Sequence, residues 1–285
     1  MAAAMNESST VWLITGCSSG IGRDIALAAL TKGHRVAVTA RNPPAVEDLV
    51  AQHPEQSIAV ALDVTDRDQI AAAVRETERV FGGIDVLVNN AGYGYMAAVE
   101  EGEDDEVRAM FDTNYFGVVD MIKSTLPGMR ARGSGHIINI SSMTGLVANP
   151  PNVYYSSTKF ALEALTEGLS KEVAQFGIRV TAIEPGAFRT DWSTRSMKEA
   201  REPIDAYAET VGARKNLIKL AGSKFPGDPR RVADAVLMVT ELDDPPLHLL
   251  LGHDVYNAYR EKLSDLGESI EEWKSVTLDV NFPPE

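Results

Sequence analysis

Short apolar runs alternate with longer segments of helical periodicity from residue 11 to about residue 186, and this rhythm restricts the fold more than any other feature. The runs are rich in β-branched residues, and several are continuous rather than alternating, as expected for strands that are covered on both faces. Between them, residues such as Ile21, Ile25 and Ala29 fall on one helical stripe. The predicted strands are Val11–Thr15, Arg35–Ala40, Ile58–Asp63, Asp85–Asn89, His136–Ser141, Arg179–Ile183 and, near the end, Leu247–Leu251.

Strands and helices that alternate through short turns predict a parallel sheet built from right-handed crossovers. We therefore expect an α/β fold: a single-domain, doubly wound Rossmann-type parallel sheet with helices on both faces. The 285 residues contain no internal repeat and no low-complexity linker. One catalytic domain is expected over residues 11–276, between a flexible N-terminus (1–10) and a C-terminal tail (277–285).

The alternation breaks over residues 188–227, which are polar and helix-prone and follow a strand end. Open α/β sheets bind ligands beyond the carboxyl ends of their strands, so we interpret this segment as a substrate lid. The alternative is a surface excursion without a role. A helix is predicted next, over Pro229–Glu241.

Composition and charge exclude several function classes. The formal net charge of −14 argues against a nucleic-acid partner, because proteins that bind the phosphate backbone normally carry a basic face. Cys17 is the single cysteine, so no intramolecular disulfide can form. No run approaches the roughly 20 apolar residues of a membrane span, and the N-terminus lacks the features of a secretory signal. We expect a cytoplasmic protein.

A glycine-rich turn follows the first predicted strand and opens a helix. Backbone amides at a helix N-terminus stabilise a pyrophosphate, provided that side chains stay out of the way. We assign Gly16 to the tight turn, Gly20 to the close approach of the phosphate and Gly22 to packing of the helix on the strand. The spacing G-x-x-x-G-x-G matches the general dinucleotide fingerprint only in kind. The predicted cofactor-binding residues of this turn are Thr15, Gly16, Ser18, Ser19, Gly20, Ile21 and Gly22.

The end of the second predicted strand indicates which dinucleotide binds. An acidic residue there would hold the ribose hydroxyls of NAD, but the strand ends in Ala40-Arg41-Asn42. The guanidinium of Arg41 suits a 2′-phosphate, so we predict that NADP(H) is preferred over NAD(H). Arg41 could instead be a solvated loop charge, and Arg23 could assist or be merely exposed. Asp63 could accept a hydrogen bond from the adenine amine or cap the helix that begins near Asp66.

Four polar residues form the strongest candidate site: Asn114, Ser142, Tyr155 and Lys159. Tyr155 and Lys159 stand four apart in a helix-favouring segment and so share one face. A phenol with a reference pKa of about 10 is a poor base at neutral pH. An ammonium group roughly 5 Å away, at an effective dielectric of about 20, favours the phenolate by about 3 kcal/mol, or about two pKa units. Ser142 would stabilise charge on the substrate oxygen.

A tyrosine and a lysine four apart are commonly just a surface pair. Here they follow a predicted strand that ends in Ser141-Ser142 and lie downstream of the glycine turn, which favours a catalytic role. The chain resembles the short-chain dehydrogenase/reductase family over residues 11 to 252. The matching motifs are Thr15-Gly16-x-x-x-Gly20-x-Gly22, Asn89-Asn90-Ala91-Gly92, Asn114, Ser142, Tyr155-x-x-x-Lys159 and Pro185-Gly186-x-x-x-Thr190.

The resemblance implies that Tyr155 is the general acid/base and that Ser142 orients the carbonyl or hydroxyl. Lys159 then also holds the nicotinamide ribose, and Asn114 anchors a water in a proton relay. It implies further that residues 89–92 support the central sheet and the adenine ribose, while residues 185–190 lie against the nicotinamide carboxamide. The remaining predicted cofactor-binding residues are Val64, Asn90, Ala91, Gly92, Pro185, Gly186, Phe188 and Thr190.

These features together predict an NADP(H)-dependent oxidoreductase that reduces a ketone or aldehyde, or oxidises the corresponding alcohol. The alternative is a catalytically silent sensor of NADP(H), or a scaffold, with the same fold. The predicted substrate pocket is mostly apolar, which favours a hydrophobic substrate, although each residue could instead be core or lid packing. Its residues are Tyr95, Met143, Leu146, Val147, Asn149, Phe188 and Trp192.

The runs Val11–Gly20 and Pro245–Gly252 look similar to the branch that contains hydroxysteroid and retinol dehydrogenases and many carbonyl reductases. No metal site is expected, because none of the five histidines has a ligand-like spacing to a cysteine or a carboxylate cluster. The resemblance also suggests a homodimer or homotetramer that forms through long helices around residues 103–131 and 152–175.

Overall fold

The structure, a computed structural model, describes residues 9–190 and 195–282. The strands are β1 Val11–Ile14, β2 Arg35–Ala40, β3 Ser57–Ala61, β4 Val86–Asn89, β5 Gly94–Met96, β6 Gly135–Ile140, β7 Ile178–Pro185, β8 Met197–Glu199 and β9 His248–Leu251. Seven of them form one parallel sheet in the order β3-β2-β1-β4-β6-β7-β9, and the two short strands β5 and β8 pair separately. The predicted doubly wound sheet is therefore confirmed.

Helices cover both faces of the sheet because successive strand residues point to opposite sides. The helices are α1 Gly20–Thr31, α2 Glu47–Gln52, α3 Arg67–Phe81, α4 Asp104–Phe111, α5 Gly117–Arg132, α6 Val153–Val173, α7 Ala213–Ala221, α8 Pro229–Thr240, α9 His253–Glu272 and α10 Lys274–Leu278. Trp12 and Ile14 of β1 pack in one cluster with α1 and α8, whereas Leu13 packs on the other side with α3, α5 and α6. Among the described residues, no helix combines the length and apolar character that a membrane crossing requires.

The cap of α3 tests one of the two interpretations of Asp63. Asp66 is the N-cap, and its Oδ1 accepts hydrogen bonds from the amides of Asp68 and Gln69 at 2.9 and 3.1 Å. Asp63 instead accepts from the amide and hydroxyl of Thr65, at 3.0 and 2.8 Å. The expectation that Asp63 could cap this helix is wrong, because Asp63 lies three residues before the N-cap Asp66.

The segment predicted as a lid is tied to the body of the protein. Its strand β8 pairs in parallel with β5, in the register Gly94↔Met197 to Met96↔Glu199. Each of these strands has only three residues, too few for a periodic signal in the sequence. The 20-residue helix α9 was also missed, because Val255 is its one buried residue.

Candidate active site

The glycine turn between β1 and α1 adopts a conformation that only glycine enters freely at two positions. Gly16 and Gly20 have φ angles of +73° and +61°. Gly20 thus supports the backbone conformation as well as leaving room for a ligand. A methyl group at Gly22 would overlap the Asn90 side chain and lie 2.7 Å from Gly16 O. Gly22 therefore makes room for Asn90 and for the turn itself, rather than for the strand as predicted.

Asn90 and Thr15 hold this turn against the end of β4. Asn90 Nδ2 donates to Thr15 O at 2.8 Å and to Gly16 O at 3.1 Å. Thr15 Oγ1 accepts from the amides of Asn90 and Ala91, both at 2.9 Å. Asn89, the last residue of β4, is linked to the neighbouring strand β6: its Nδ2 donates to Asn139 Oδ1 at 2.9 Å. The support of the central sheet that the family resemblance implied for these asparagines is present in the structure.

The N-terminus of α1 fits a pyrophosphate. Within the described chain, the N-cap Ser19 makes no side-chain capping bond, and the first turn of α1 contains no acidic residue. The first amides of a helix lack intrahelical partners and carry a partial positive charge, so they suit an anion. Ser18 and Ile21 flank this position, and Ile21 packs on the core cluster below. The site can hold the phosphates of a dinucleotide.

Gly22→Ala is expected to destabilise the protein by about 1–3 kcal/mol and to weaken cofactor binding, because the new methyl group must displace Asn90. Thermal unfolding and NADPH fluorescence titration would measure the two effects. Gly168→Ala is the matched control: Gly168 lies inside α6 with no atom within 4 Å of an added methyl group. It should be neutral or stabilising. Equal losses in both variants would contradict the proposed role of Gly22.

The two arginines considered as readers of a 2′-phosphate occupy different positions. Arg41 directly follows β2 and is exposed. Burial and acidic neighbours raise the pKa of Tyr93 to about 12, and the charge of Arg41 opposes them only in part. The guanidinium of Arg23 forms an ion pair with Asp48 and lies 3.4 Å from Ala45 O. Arg23 is therefore bound to the α2 region, while Arg41 stands at the strand end.

Tyr155, Ser142 and Lys159 lie together at the carboxyl end of β6. The Tyr155 side chain is 6% exposed, and its hydroxyl hydrogen-bonds the Ser142 side chain. Lys159 Nζ donates to Ile140 O at 2.8 Å and lies 5.7 Å from the centroid of the Tyr155 ring. The structure thus brings together three of the four predicted catalytic residues.

Burial, not the neighbouring ammonium, dominates the titration of Tyr155. Desolvation raises the pKa of the phenol, and the hydrogen bond with Ser142 only partly opposes this effect. The raised pKa of Tyr155 is opposite in direction to the lowering expected from Lys159, because burial is the largest effect. Burial also lowers the pKa of Lys159 to about 8, while the charge of Glu163 acts in the opposite direction.

Asn114 lies in a π-helical turn, Asp112–Phe116, between α4 and α5. Its Nδ2 donates to Tyr93 O at 2.8 Å and to Thr158 Oγ1 at 3.2 Å, and its Oδ1 accepts from Tyr93 N at 3.0 Å. Its buried amide therefore connects the β4–β5 loop to α6, one residue before Lys159. Single π turns inside helices often occur at functional sites.

The segment after β7 returns to the glycine turn. Gly186 N donates to Leu251 O at 2.9 Å, and Ala187 N donates to Asp254 Oδ2 at 2.7 Å. Phe188 bridges to Gly227, and Thr190 Cβ would lie 3.9 Å from a methyl group at Gly20. Pro185 to Thr190 thus reach the phosphate-binding turn. The sequence did not reveal the roles of Asp254 and Gly227.

The predicted substrate residues fall into different environments. Met143 and Val147 are half-buried, Leu146 is buried and Asn149 is exposed. Lys262 of α9 donates to Leu146 O. Tyr95 is fully buried: its hydroxyl donates to Glu103, and its ring packs in the cluster that contains Tyr155. Trp192 lies outside the described residues.

A second polar cluster adjoins the catalytic residues. Glu163 of α6, Glu184 of β7 and His248 of β9 place one donor atom each within 4.8 Å of one another. This cluster was not predicted from the sequence, because its members come from three separate elements, and His248 and Glu184, which form a hydrogen bond, are 64 residues apart.

Comparisons with known proteins agree with this geometry. Residues 10–201 match the family model described as short chain dehydrogenase. Oxidoreductase BOA17 of Botryotinia fuckeliana is 41% identical over 270 residues, which cover 94% of this chain and 98% of that protein. A short-chain dehydrogenase from Streptomyces avermitilis is 42% identical, with a TM-score of 0.91, and the match covers 97% of this chain and all of that one.

A more distant structure carries a cofactor. The alcohol dehydrogenase from the archaeon Thermococcus sibiricus, complexed with 5-hydroxy-NADP, is 26% identical with a TM-score of 0.69. The match covers 86% of this chain and 96% of that one. The sheet, the glycine turn and the polar residues beyond β6 thus agree with the sequence comparisons: the chain belongs to the short-chain dehydrogenase family and is an NAD(P)-dependent oxidoreductase.

Proposed function

We propose that this enzyme reduces a ketone or aldehyde on a hydrophobic substrate with NADPH, and oxidises the corresponding alcohol in the reverse direction. The observation that carries the proposal is the environment of Tyr155, which is buried and whose hydroxyl is hydrogen-bonded to Ser142. Lys159 follows Tyr155 by one helical turn and lies beside its ring. In this arrangement Tyr155 is the general acid/base, Ser142 orients the substrate oxygen and Lys159 stabilises the charge that develops on the phenol.

The protonation state of Tyr155 favours the reductive direction. Because burial raises its pKa, the phenol is neutral at physiological pH and carries the proton that a reduced carbonyl oxygen needs. The nicotinamide, when bound, supplies the hydride to the carbonyl carbon. Tyr155 gives its proton to the oxygen, and the nearby Lys159 ammonium stabilises the phenolate that remains. Asn114 would anchor a water through which Tyr155 regains a proton.

The residues at the end of β2 favour NADP(H) over NAD(H). Arg41 offers two parallel N–H groups to a 2′-phosphate, and no acidic side chain stands at the end of β2. The structural relative from Thermococcus sibiricus, whose complex contains 5-hydroxy-NADP, supports this preference. We assign the adenine end to Asp63 and Val64, the adenine ribose to Asn90, Ala91 and Gly92, and the nicotinamide end to Pro185, Gly186, Phe188 and Thr190.

Apolar residues after Ser142 support a hydrophobic substrate. Met143 and Val147 are half-buried apolar residues that follow Ser142, and Phe188 begins the lid segment. We include Trp192 in the proposed pocket from its position in the sequence alone. A phosphorylated sugar would need cationic partners that these positions do not offer. Tyr95 would shape this pocket from beneath, through its packing in the Tyr155 cluster.

Loss of NADPH absorbance with a panel of aryl ketones, diketones and aldehydes tests the proposed reaction. We expect turnover with apolar carbonyl compounds, and faster turnover with NADPH than with NADH. Tight NADPH binding without turnover on any member of the panel would instead support a cofactor sensor or scaffold.

We also propose that the protein forms a homodimer or homotetramer and resides in the cytoplasm. The exposed face of α9 supports self-association: Leu263, Leu266, Ile270 and the C-cap residue Trp273 recur at intervals of three, four and three residues and are 49–58% exposed. This spacing lets two copies of one helix interdigitate their side chains. Phe116, 52% exposed, offers a second apolar contact on the helices around residues 103–131.

Ile270→Glu is expected to convert the assembly to a smaller species, because it places a charge in the centre of the apolar stripe on α9. Sedimentation velocity would measure the change in mass. Glu261→Gln, on the opposite face of the same helix, should leave the mass unchanged. A wild-type protein that sediments as a monomer at micromolar concentration would contradict the proposed assembly.

A further inference from the structure

The cluster of Glu163, Glu184 and His248 crosses the sheet edge from the catalytic helix to the protein surface. His248 Nδ1 lies 2.8 Å from Glu184 Oε1 and 3.4 Å from Glu163 Oε2. Glu184 is completely buried and Glu163 nearly so, whereas the His248 side chain is 38% exposed. The imidazole therefore connects two buried carboxyl groups to solvent.

The two carboxyl groups cannot both be ionised without a large cost. They share one buried site, and Glu184 Oε2 has no hydrogen-bond partner among the described residues. Burial and the charge of Glu163 together raise the pKa of Glu184 to about 9, and burial also raises the pKa of Glu163. Like charges in such a site hold a proton between them. At neutral pH the pair therefore keeps at least one proton.

The cluster touches the catalytic residues through Glu163. Glu163 stands one helical turn after Lys159, and its Oε1 accepts a hydrogen bond from Ser141, the neighbour of Ser142. A methyl group at Gly145 would lie 3.0 Å from Glu163 Oε1 and 3.1 Å from Lys159 Cβ, so these two side chains flank the same small space. The charge of Glu163 opposes the effect of burial on the pKa of Lys159.

The charged groups around this cluster are few. Lys159 and Glu163 come from α6, Glu184 from β7 and His248 from β9. Glu167, one turn further along α6, interacts with His248 but also forms an ion pair with Lys171. Lys262 of α9 is directed to Leu146 O and to the ring of Phe160. Glu163 is therefore the carboxyl group whose charge bears most directly on Lys159.

The spacing within the cluster is that of hydrogen bonds. Donor atoms around a tetrahedral zinc ion stand roughly 3.3 Å apart, because each bond measures about 2.0–2.1 Å. The 2.8 Å between His248 Nδ1 and Glu184 Oε1 is shorter and is typical of a hydrogen bond. The geometry thus favours a proton over a metal ion between these groups.

We propose that Glu163, Glu184 and His248 form a proton-sharing cluster whose negative charge, on Glu163, keeps Lys159 in its ammonium form. Glu163 is then a positioning residue: it acts on the reaction through Lys159. Glu184 holds the proton, so that the buried pair of Glu163 and Glu184 carries one negative charge instead of two. His248 exchanges this proton with solvent. The inference rests on the proposed role of Lys159 beside Tyr155.

The pH dependence of kcat/KM tests the proposal. Lys159 loses its proton as the pH rises, so its titration appears on the alkaline limb of the profile. Because Glu163 raises the pKa of Lys159, Glu163→Gln should move that limb to lower pH by about one unit and reduce activity about fivefold at the former midpoint. Glu163→Asp, which keeps the charge, should restore part of the shift.

Two further variants locate the charge. Glu184→Gln mimics the protonated carboxyl group and leaves the charge on Glu163, so its alkaline limb should remain within a few tenths of a pH unit of wild type. Glu167→Gln makes the same charge change one turn away and should leave the profile unchanged. Equal shifts in Glu163→Gln and Glu184→Gln, or no shift in Glu163→Gln, would overturn the proposal. So would a profile that changes on addition of EDTA, which would indicate a bound metal.

The pH dependence of the NADPH dissociation constant provides a readout without turnover. If Lys159 binds the nicotinamide ribose, Glu163→Gln should weaken NADPH binding at a lower pH than in wild type. A wild-type protein that turns over no carbonyl compound would contradict the proposed function, whereas this binding shift would still test the effect of Glu163 on Lys159. An unshifted binding profile in a variant that folds normally would count against the cluster alone.

Discussion

Tyr155→Phe is expected to lower kcat by about 10²–10⁴-fold while NADPH binding stays near that of wild type. The substitution removes the hydroxyl that we propose gives a proton to the substrate oxygen, and general acid catalysis contributes a factor of this size. The ring itself remains, so the packing against Ala97 and Met110 should be preserved. Steady-state kinetics and NADPH fluorescence titration would measure the two quantities.

The neighbouring tyrosine is a matched control. Tyr154 is half-buried and donates its hydroxyl to Val99 O at 2.6 Å, away from Ser142. Tyr154→Phe loses one hydrogen bond and should reduce stability by about 0.5–1.5 kcal/mol, with turnover retained. Substantial residual activity in Tyr155→Phe, or equal losses of activity in the two variants, would remove Tyr155 from its proposed role.

Arg41→Asp is expected to move the ratio of kcat/KM for NADPH over NADH by about 100-fold or more toward NADH. A charge-assisted hydrogen bond contributes about 1.5–3 kcal/mol, and each 1.4 kcal/mol corresponds to tenfold. The new carboxylate would also repel the 2′-phosphate of NADPH and could accept bonds from the ribose hydroxyls of NADH. Initial rates with each cofactor at several concentrations would give the ratio.

Arg23→Gln is the control for this substitution, because Arg23 is already paired with Asp48. The cofactor ratio should stay near wild type in Arg23→Gln. A ratio that is unchanged in Arg41→Asp but shifts in Arg23→Gln would assign the reading of the phosphate to Arg23 instead.

Most of the fold was predictable because its strands are buried on both faces. Continuous apolar runs identified all seven strands of the main sheet, with boundaries within about two residues: Arg35–Ala40 agrees at both ends, and β7 extends two residues further, to Pro185. The three-residue strands β5 and β8 were missed, because pairing between distant segments, not local periodicity, creates them. Helix α9 was also missed: it buries only Val255, and its apolar residues Leu263, Leu266 and Ile270 are exposed rather than directed to the core.

The candidate site was predictable where chemistry and spacing coincide. Tyr155 and Lys159 share a helix face at a fixed interval, and glycines mark the turn that we propose to bind the phosphates. The direction of the Tyr155 pKa was not predictable, because it depends on how deeply the phenol is buried. Nor was the cluster around His248, because residues of α6, β7 and β9 meet only after the sheet forms.

Helix α9 bears on how much of the chain the enzyme needs for its site. Through Asp254 it holds the backbone at Ala187, and through Lys262 it holds the carbonyl of Leu146. The first contact lies just after β7, and the second lies four residues after Ser142, the hydrogen-bond partner of Tyr155. A truncation that ends at β9 would keep every motif of the family, yet it would remove both contacts at once. The two segments beside the proposed site are therefore held by a helix that carries no recognisable motif of its own.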